Sequence, residues 1–233
     1  MATKSNIIAF PLKVKRIYRL RIELEETKPA IYRQLLVRGD IGLDLLHTIL
    51  QVAMGWTNSH PHRFTIGKHE YSNRVFETND MVSRGDSTVE EEAIIKLDEA
   101  AKGKGFQFGY DYDFGDFWRH RIIVEETLPD DGTLAGFALC IGGRRACPPE
   151  DCGGVGGYAD LLEIIADPEH AEHESMLEWL GGSFDADAFD RDKVNVFLRK
   201  LKWGHPTIGQ LGGVLMARDK IKTEKKKKTG RRK

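Results

Sequence analysis

No apolar run in the 233 residues approaches the roughly 20 needed to span a bilayer, so no membrane-crossing helix is expected. The apolar patch at residues 7–10 is too short and interrupted to be a signal-peptide core, and the expected location is cytoplasmic. Cysteine is scarce: three residues, an odd number, which excludes a disulfide framework and fits a reducing compartment. Paired C-x-x-C motifs are missing. So is the Lys-Ser/Thr ending that would turn the Gly153-Gly154-Val155-Gly156-Gly157 run into a phosphate loop. No complete catalytic constellation is visible.

The chain is otherwise of ordinary globular composition, with 40% hydrophobic and 30% charged residues. Its net charge of −1 is unevenly spread. From Arg218 onward there are ten basic residues against Asp219 and Glu224, a surplus of eight, which leaves −9 on the body. Residues Lys225, Lys226, Lys227, Lys228, Arg231, Arg232 and Lys233 form an apolar-free tail, expected to be disordered and to offer a contact for nucleic acid or another polyanion. The acidic body argues against a broad DNA-binding face on the fold itself.

Hydrophobic periodicity supplies the elements. Residues 14–24 alternate apolar Tyr18, Leu20, Ile22 and Leu24 with charged Arg19, Arg21 and Glu23, a half-buried strand. Residues 31–37 read as its hairpin partner. Between 43 and 55 the period changes: Leu43, Leu46, His47, Leu50 and Met54 predict an amphipathic helix, with Asp40 as cap and Gly55 as stop. His47 is expected to be buried and bonded to a neighbour. A short strand over 63–66, a strand fragment near Glu70-Tyr71 and a short helix within 89–101 follow.

The densest stretch is Tyr110-Asp111-Tyr112-Asp113-Phe114-Gly115-Asp116-Phe117-Trp118-Arg119-His120-Arg121. Its alternation predicts two strands, 106–112 and 118–126, around a tight turn at 113–116, with Gly115 taking a positive φ. Residues 138–157 hold six glycines and two prolines and are expected to be one irregular loop. Three helices are expected at 158–166, 171–180 and 192–201. Together these predict an α+β fold: a mostly antiparallel sheet of N-terminal hairpins, one N-terminal helix and a C-terminal helical layer. The expected organisation is a flexible segment 1–13, one domain 14–203 and a peripheral segment 204–233.

Chemistry-bearing residues fall in three places. His60 and His62 share a strand parity that would put both rings on one face, a spacing able to hold one metal ion. Asp113, Asp116 and His120 flank the tight turn. Cys147, Glu150, Asp151 and Cys152 lie in the glycine-rich stretch, the cysteines four residues apart. Two readings stay open. The first is a binding or interaction module without catalysis. The alternative is a metal-dependent hydrolase or nuclease, in which His60, His62, Asp113, His120, Cys147 and Cys152 hold a divalent metal and Asp116 or Glu150 is the general base. That alternative requires the three places to meet in space.

Three motif blocks carry a resemblance. The first runs from Lys28-Pro29-Ala30-Ile31-Tyr32-Arg33 to Met54-Gly55-Trp56-Thr57-Asn58-Ser59-His60-Pro61-His62-Arg63-Phe64. The second is Tyr112-Asp113-Phe114-Gly115-Asp116-Phe117-Trp118-Arg119-His120. The third is Arg144-Arg145-Ala146-Cys147-Pro148-Pro149-Glu150-Asp151-Cys152-Gly153-Gly154, with Gly157-Tyr158 and Trp179-Leu180-Gly181-Gly182 behind it. In order and density they resemble the plasmid pRiA4b ORF-3-like family over residues 15 to about 201. Phe117 stands where the family pattern has Gly, and the basic tail lies outside that pattern. Similar proteins are labelled as passengers of insertion elements and named after a resolvase, which implies an association with mobile DNA. Recombinase activity is not carried over, because no Ser here sits among clustered arginines.

Overall fold

The computed structural model describes residues 15–73 and 89–201. The flexible segment expected at 1–13, most of the exposed loop expected within 67–92, and the polyanion-binding tail lie outside the described residues. The described residues form an α+β fold around an eight-stranded sheet of order β5-β4-β3-β6-β7-β1-β2-β8. Its strands are β1 (Arg16–Leu24), β2 (Ile31–Arg38), β3 (His62–Ile66), β4 (His69–Ser72), β5 (Val89–Glu91), β6 (Gln107–Tyr112), β7 (Trp118–Pro129) and β8 (Ala138–Arg144). All neighbours pair antiparallel except β4 and β5, which are parallel. No helix among the described residues is long and apolar enough to cross a membrane.

The period-two pattern maps directly onto the sheet. Tyr18, Leu20, Ile22 and Leu24 of β1, and Trp118, His120, Ile122 and Val124 of β7, are buried on one face. The opposite face is a charged lattice. Arg121 and Arg21 both contact Glu23, Arg19 meets Glu126 at 3.1 Å, and Gln34 donates to Glu125. Charged and polar side chains of β1, β2 and β7, paired within and across strands, thus take up the positions that alternation leaves outside.

Helix α1 (Leu43–Met54) lies deeper than an amphipathic reading implies: eleven of its twelve residues are buried. It packs against a 3₁₀ turn (Glu92–Ile94) and the helix Arg191–Leu198 as well as against core side chains of the sheet. Asp40 is not its cap. Gly42 occupies that position, while the Asp40 carboxylate accepts from Arg38 at 3.0 and 2.8 Å. Gly55 ends the helix at φ 110°, as its lack of Cβ permits.

The glycine-rich stretch 138–157 is not one irregular loop. Its first part is strand β8, and helix Gly154–Ala166 begins before it ends. Ladder hydrogen bonds to β2, together with burial of Ala138 and Cys140, outweigh the weak strand propensity of the glycines. At the open edge of β8 the Asn195 side chain takes the place of a further strand. It accepts from Cys140 N and donates to Cys140 O, both at 2.8 Å. Residues 89–101 likewise split into a strand, a 3₁₀ turn and a four-residue helix. Two other helices, His173–Trp179 and Arg191–Leu198, complete the C-terminal layer.

Candidate functional site

The β6–β7 hairpin ends in the turn 113–117. Asp113 Oδ1 accepts from the N–H groups of Gly115 (2.8 Å) and Asp116 (3.3 Å), and Phe117 N closes the turn on Asp113 O at 2.7 Å. The left-handed residues are Asp113 (φ 59°) and Phe117 (φ 51°), not Gly115. Asp suits that conformation because its short side chain bonds the local backbone. One carboxylate oxygen of Asp113 therefore shapes the turn, and the other is left for a second task.

Two loops meet this turn. From the end of α1, Trp56 donates its indole N–H to Pro148 O (3.1 Å), and Pro61 O accepts from Asp113 N (2.9 Å). From the loop after β8, Glu150 Oε1 accepts from Thr57 N, Thr57 Oγ1 and the Tyr112 hydroxyl at 2.8–3.0 Å. Asp116 Oδ2 accepts from Gly153 N at 3.2 Å. The loops approach so closely that a Cβ on Gly154 would stand 2.5 Å from Asp116 O, and Gly154 itself has φ +67°. Glycine is required there on both counts.

At the centre is His60. Its Nε2 lies 3.1 Å from Asp151 Oδ1, 3.7 Å from Asp113 Oδ2 and 3.9 Å from Glu150 Oε2. It forms no aligned hydrogen bond with any of them. One ligand atom each from His60, Asp113 and Asp151 falls within 4.8 Å of the others. The Tyr112 ring meets the imidazole edge-on at 5.9 Å. Burial, and then the negative charge of Glu150, push the Tyr112 phenol far above its ordinary pKa, so it stays a donor to Glu150.

The other predicted residues stand elsewhere. His62 does not share a face with His60. It opens β3 and turns inward, where its Nε2 meets Glu92 Oε2 at 2.7 Å and its ring stacks on His47 at 3.4 Å and 5°. Burial pushes its pKa down to about 3. His47, buried as expected, is lowered well below its ordinary value by burial and then by the neighbouring His62. His120 is also buried. It bonds Tyr110 O through Nδ1 at 3.1 Å, sits edge-on to Trp56, and has its pKa lowered to about 4, chiefly by burial.

Cys147 and Cys152 are half-buried against the core behind the junction and stand outside the His60 group. Burial, then the charge of Asp116, pushes the Cys152 thiol up to about 12. The sequence reading missed Glu92, which sits among Glu90 and Glu91 with no local pattern to mark the one that turns inward. It also missed the anchoring roles of Tyr112 and Thr57. The inward parity of Tyr112, next to a carboxylate-rich turn, was the available signal for the first.

The molecule is thus an α+β protein in which three loops gather a histidine and several carboxylates at one hairpin tip. A sequence model of the family "Plasmid pRiA4b ORF-3-like protein" matches residues 16–193, and the chain belongs to that family. It is 36% identical over 193 residues to the uncharacterized protein y4hQ of Sinorhizobium fredii (strain NBRC 101917 / NGR234), covering 82% of this chain and 95% of that one. It also resembles the crystal structure of a protein of unknown function from Methanosarcina mazei Go1, with a TM-score of 0.66 and 29% identity. That match covers 77% of this chain and 97% of the other.

Proposed function

We propose that the chain is a non-catalytic binding module whose ligand is a divalent cation, held by His60 Nε2, Asp113 Oδ2 and Asp151 Oδ1. The observation that carries this is the imidazole nitrogen facing three carboxylates at 3.1–3.9 Å without an aligned hydrogen bond. Ligand atoms bound about 2.1 Å from a tetrahedral ion stand about 3.4 Å apart, so the spacing suits donors arranged around one ion. An imidazole with carboxylates and no thiolate suits zinc or manganese and leaves the Cys152 thiol aside. Of the two general-base candidates, Glu150 is tied up by Thr57 and Tyr112, and Asp116 uses one oxygen to hold Gly153. Elemental analysis of protein purified without a histidine tag tests the reading. Stoichiometric zinc or manganese, lost in H60A, is the expected result; metal-free protein that also fails to bind either ion in calorimetry refutes it.

The basic tail adds a second contact, for nucleic acid or another polyanion, consistent with an association with mobile DNA. Truncation at Arg218 is expected to abolish salt-sensitive binding of a duplex oligonucleotide and leave the body folded. Unchanged binding across a salt series refutes this part.

A further inference from the structure

We propose that Asn58 is a positioning residue that aims His60 at the carboxylates, itself held by a closed ring of hydrogen bonds through His47, Tyr110 and Gln51. The inference rests on the cation-site reading above. Asn58 Oδ1 is an acceptor only, so His47 Nε2, 2.7 Å away, carries the proton. In the neutral imidazole, Nδ1 is then a lone pair, and it accepts from the Tyr110 hydroxyl at 2.8 Å. That hydroxyl, having donated, accepts from Gln51 Nε2 at 3.0 Å. The remaining Gln51 oxygen accepts from Asn58 N at 2.9 Å, which closes the ring. Every donor meets one acceptor; reversing either amide would set donor against donor, and reversing the imidazole tautomer would set the Nε2 lone pair against Asn58 Oδ1. The stacked His62 ring fixes the plane of His47 from behind.

Asn58 stands at φ 57°, where Asn is among the few tolerated side chains. The chain then runs through Ser59, whose N–H donates to the Tyr112 hydroxyl at 3.0 Å, directly to His60. The ring and this bond together settle where the His60 imidazole begins. Asn58 itself touches no proposed ligand atom, so it acts through the backbone.

The test uses the full chain, Zn²⁺ as probe, and two variants. N58G keeps the left-handed backbone and removes the acceptor; N58D keeps an acceptor of the same shape. N58G is expected to weaken Zn²⁺ binding by about tenfold in calorimetry and to speed amide hydrogen exchange at Ser59 by about tenfold in metal-free protein. N58D is expected to stay within about threefold of the parent in both. Parent-like exchange in N58G, or an equal loss in N58G and N58D, overturns the proposal. If the parent takes up no Zn²⁺ while N58G alone speeds Ser59 exchange, the positioning role stands and the cation-site reading falls.

Discussion

His60 and His62 are two residues apart, and each meets a carboxylate within about one hydrogen-bond length, yet the two pairs differ in kind. The His62–Glu92 contact is 2.7 Å, with both side chains at most 3% exposed. The His60–Asp151 contact is 3.1 Å, with 25% and 69% exposure and two further carboxylates close by. The inner pair is closed and holds the fold; the outer group has an excess of acceptors around one nitrogen and is open to solvent. Residue type therefore does not identify a site here. What separates the two is the ratio of donors to acceptors and access to solvent.

The largest effect is expected at the inner pair. H62A removes one hydrogen-bond partner of buried Glu92 and leaves a cavity beneath the His47 ring. Its unfolding free energy in urea is expected to fall by about 2–4 kcal/mol, from the lost hydrogen bond and the cavity, with Zn²⁺ affinity little changed in whatever remains folded. A stable H62A protein that has lost the cation would merge the two regions into one site.

Acid comes next. His120 has a folded pKa of about 4, below its unfolded value near 6.5. For a base depressed in this way, the unfolded chain binds the extra proton. The stabilisation is fully present above pH 6.5 and is lost as pH falls toward 4. The loss at pH 4 is on the order of 3 kcal/mol, and buried His47 adds to it in the same direction. Urea titrations at pH 7 and pH 4 measure it, and H120F is expected to flatten the profile; an equally steep profile in H120F assigns the acid loss to other groups.

At the outer group, H60A is expected to lower Zn²⁺ affinity by about a hundredfold, roughly 2.7 kcal/mol, with a melting temperature close to the parent in metal-free protein. A large drop in metal-free stability would show that His60 is structural, like His62. The smallest effect is at the hairpin turn. Phe117 holds φ 51° and is half exposed, so F117G is expected to raise stability by about 0.5–1 kcal/mol, read as a higher urea midpoint.

Much of the fold was legible along the chain. Strands β1, β2, β6 and β7 follow from period-two alternation, and α1 from the switch to three- and four-residue steps, because in each the side chains that meet the core are set by local geometry. The β8 strand was hidden because its glycines carry no side-chain pattern, and its ladder comes from β2, more than a hundred residues earlier. The candidate site was half legible. Its three motif blocks stood out by density, and whether they met was left to the fold, which brings the loops together but leaves His62, His120, Cys147 and Cys152 outside the group. Which members would face one another did not follow, since His60 and His62 share a parity that holds only if both lie in one strand.

Hydrophobic periodicity, two along the strands and three to four along the helices, is a local property of the chain and was enough to specify the α+β class, the hairpins and the buried faces. The partition of the histidines was not local. Pro61 O binds Asp113 N just before β3 begins, so His60 stays in the loop and His62 enters the sheet. Strand boundaries of this kind are set by partners distant in sequence, and so is the burial that keeps His62 neutral beside Glu92 while His60 faces the carboxylates of Asp113, Glu150 and Asp151.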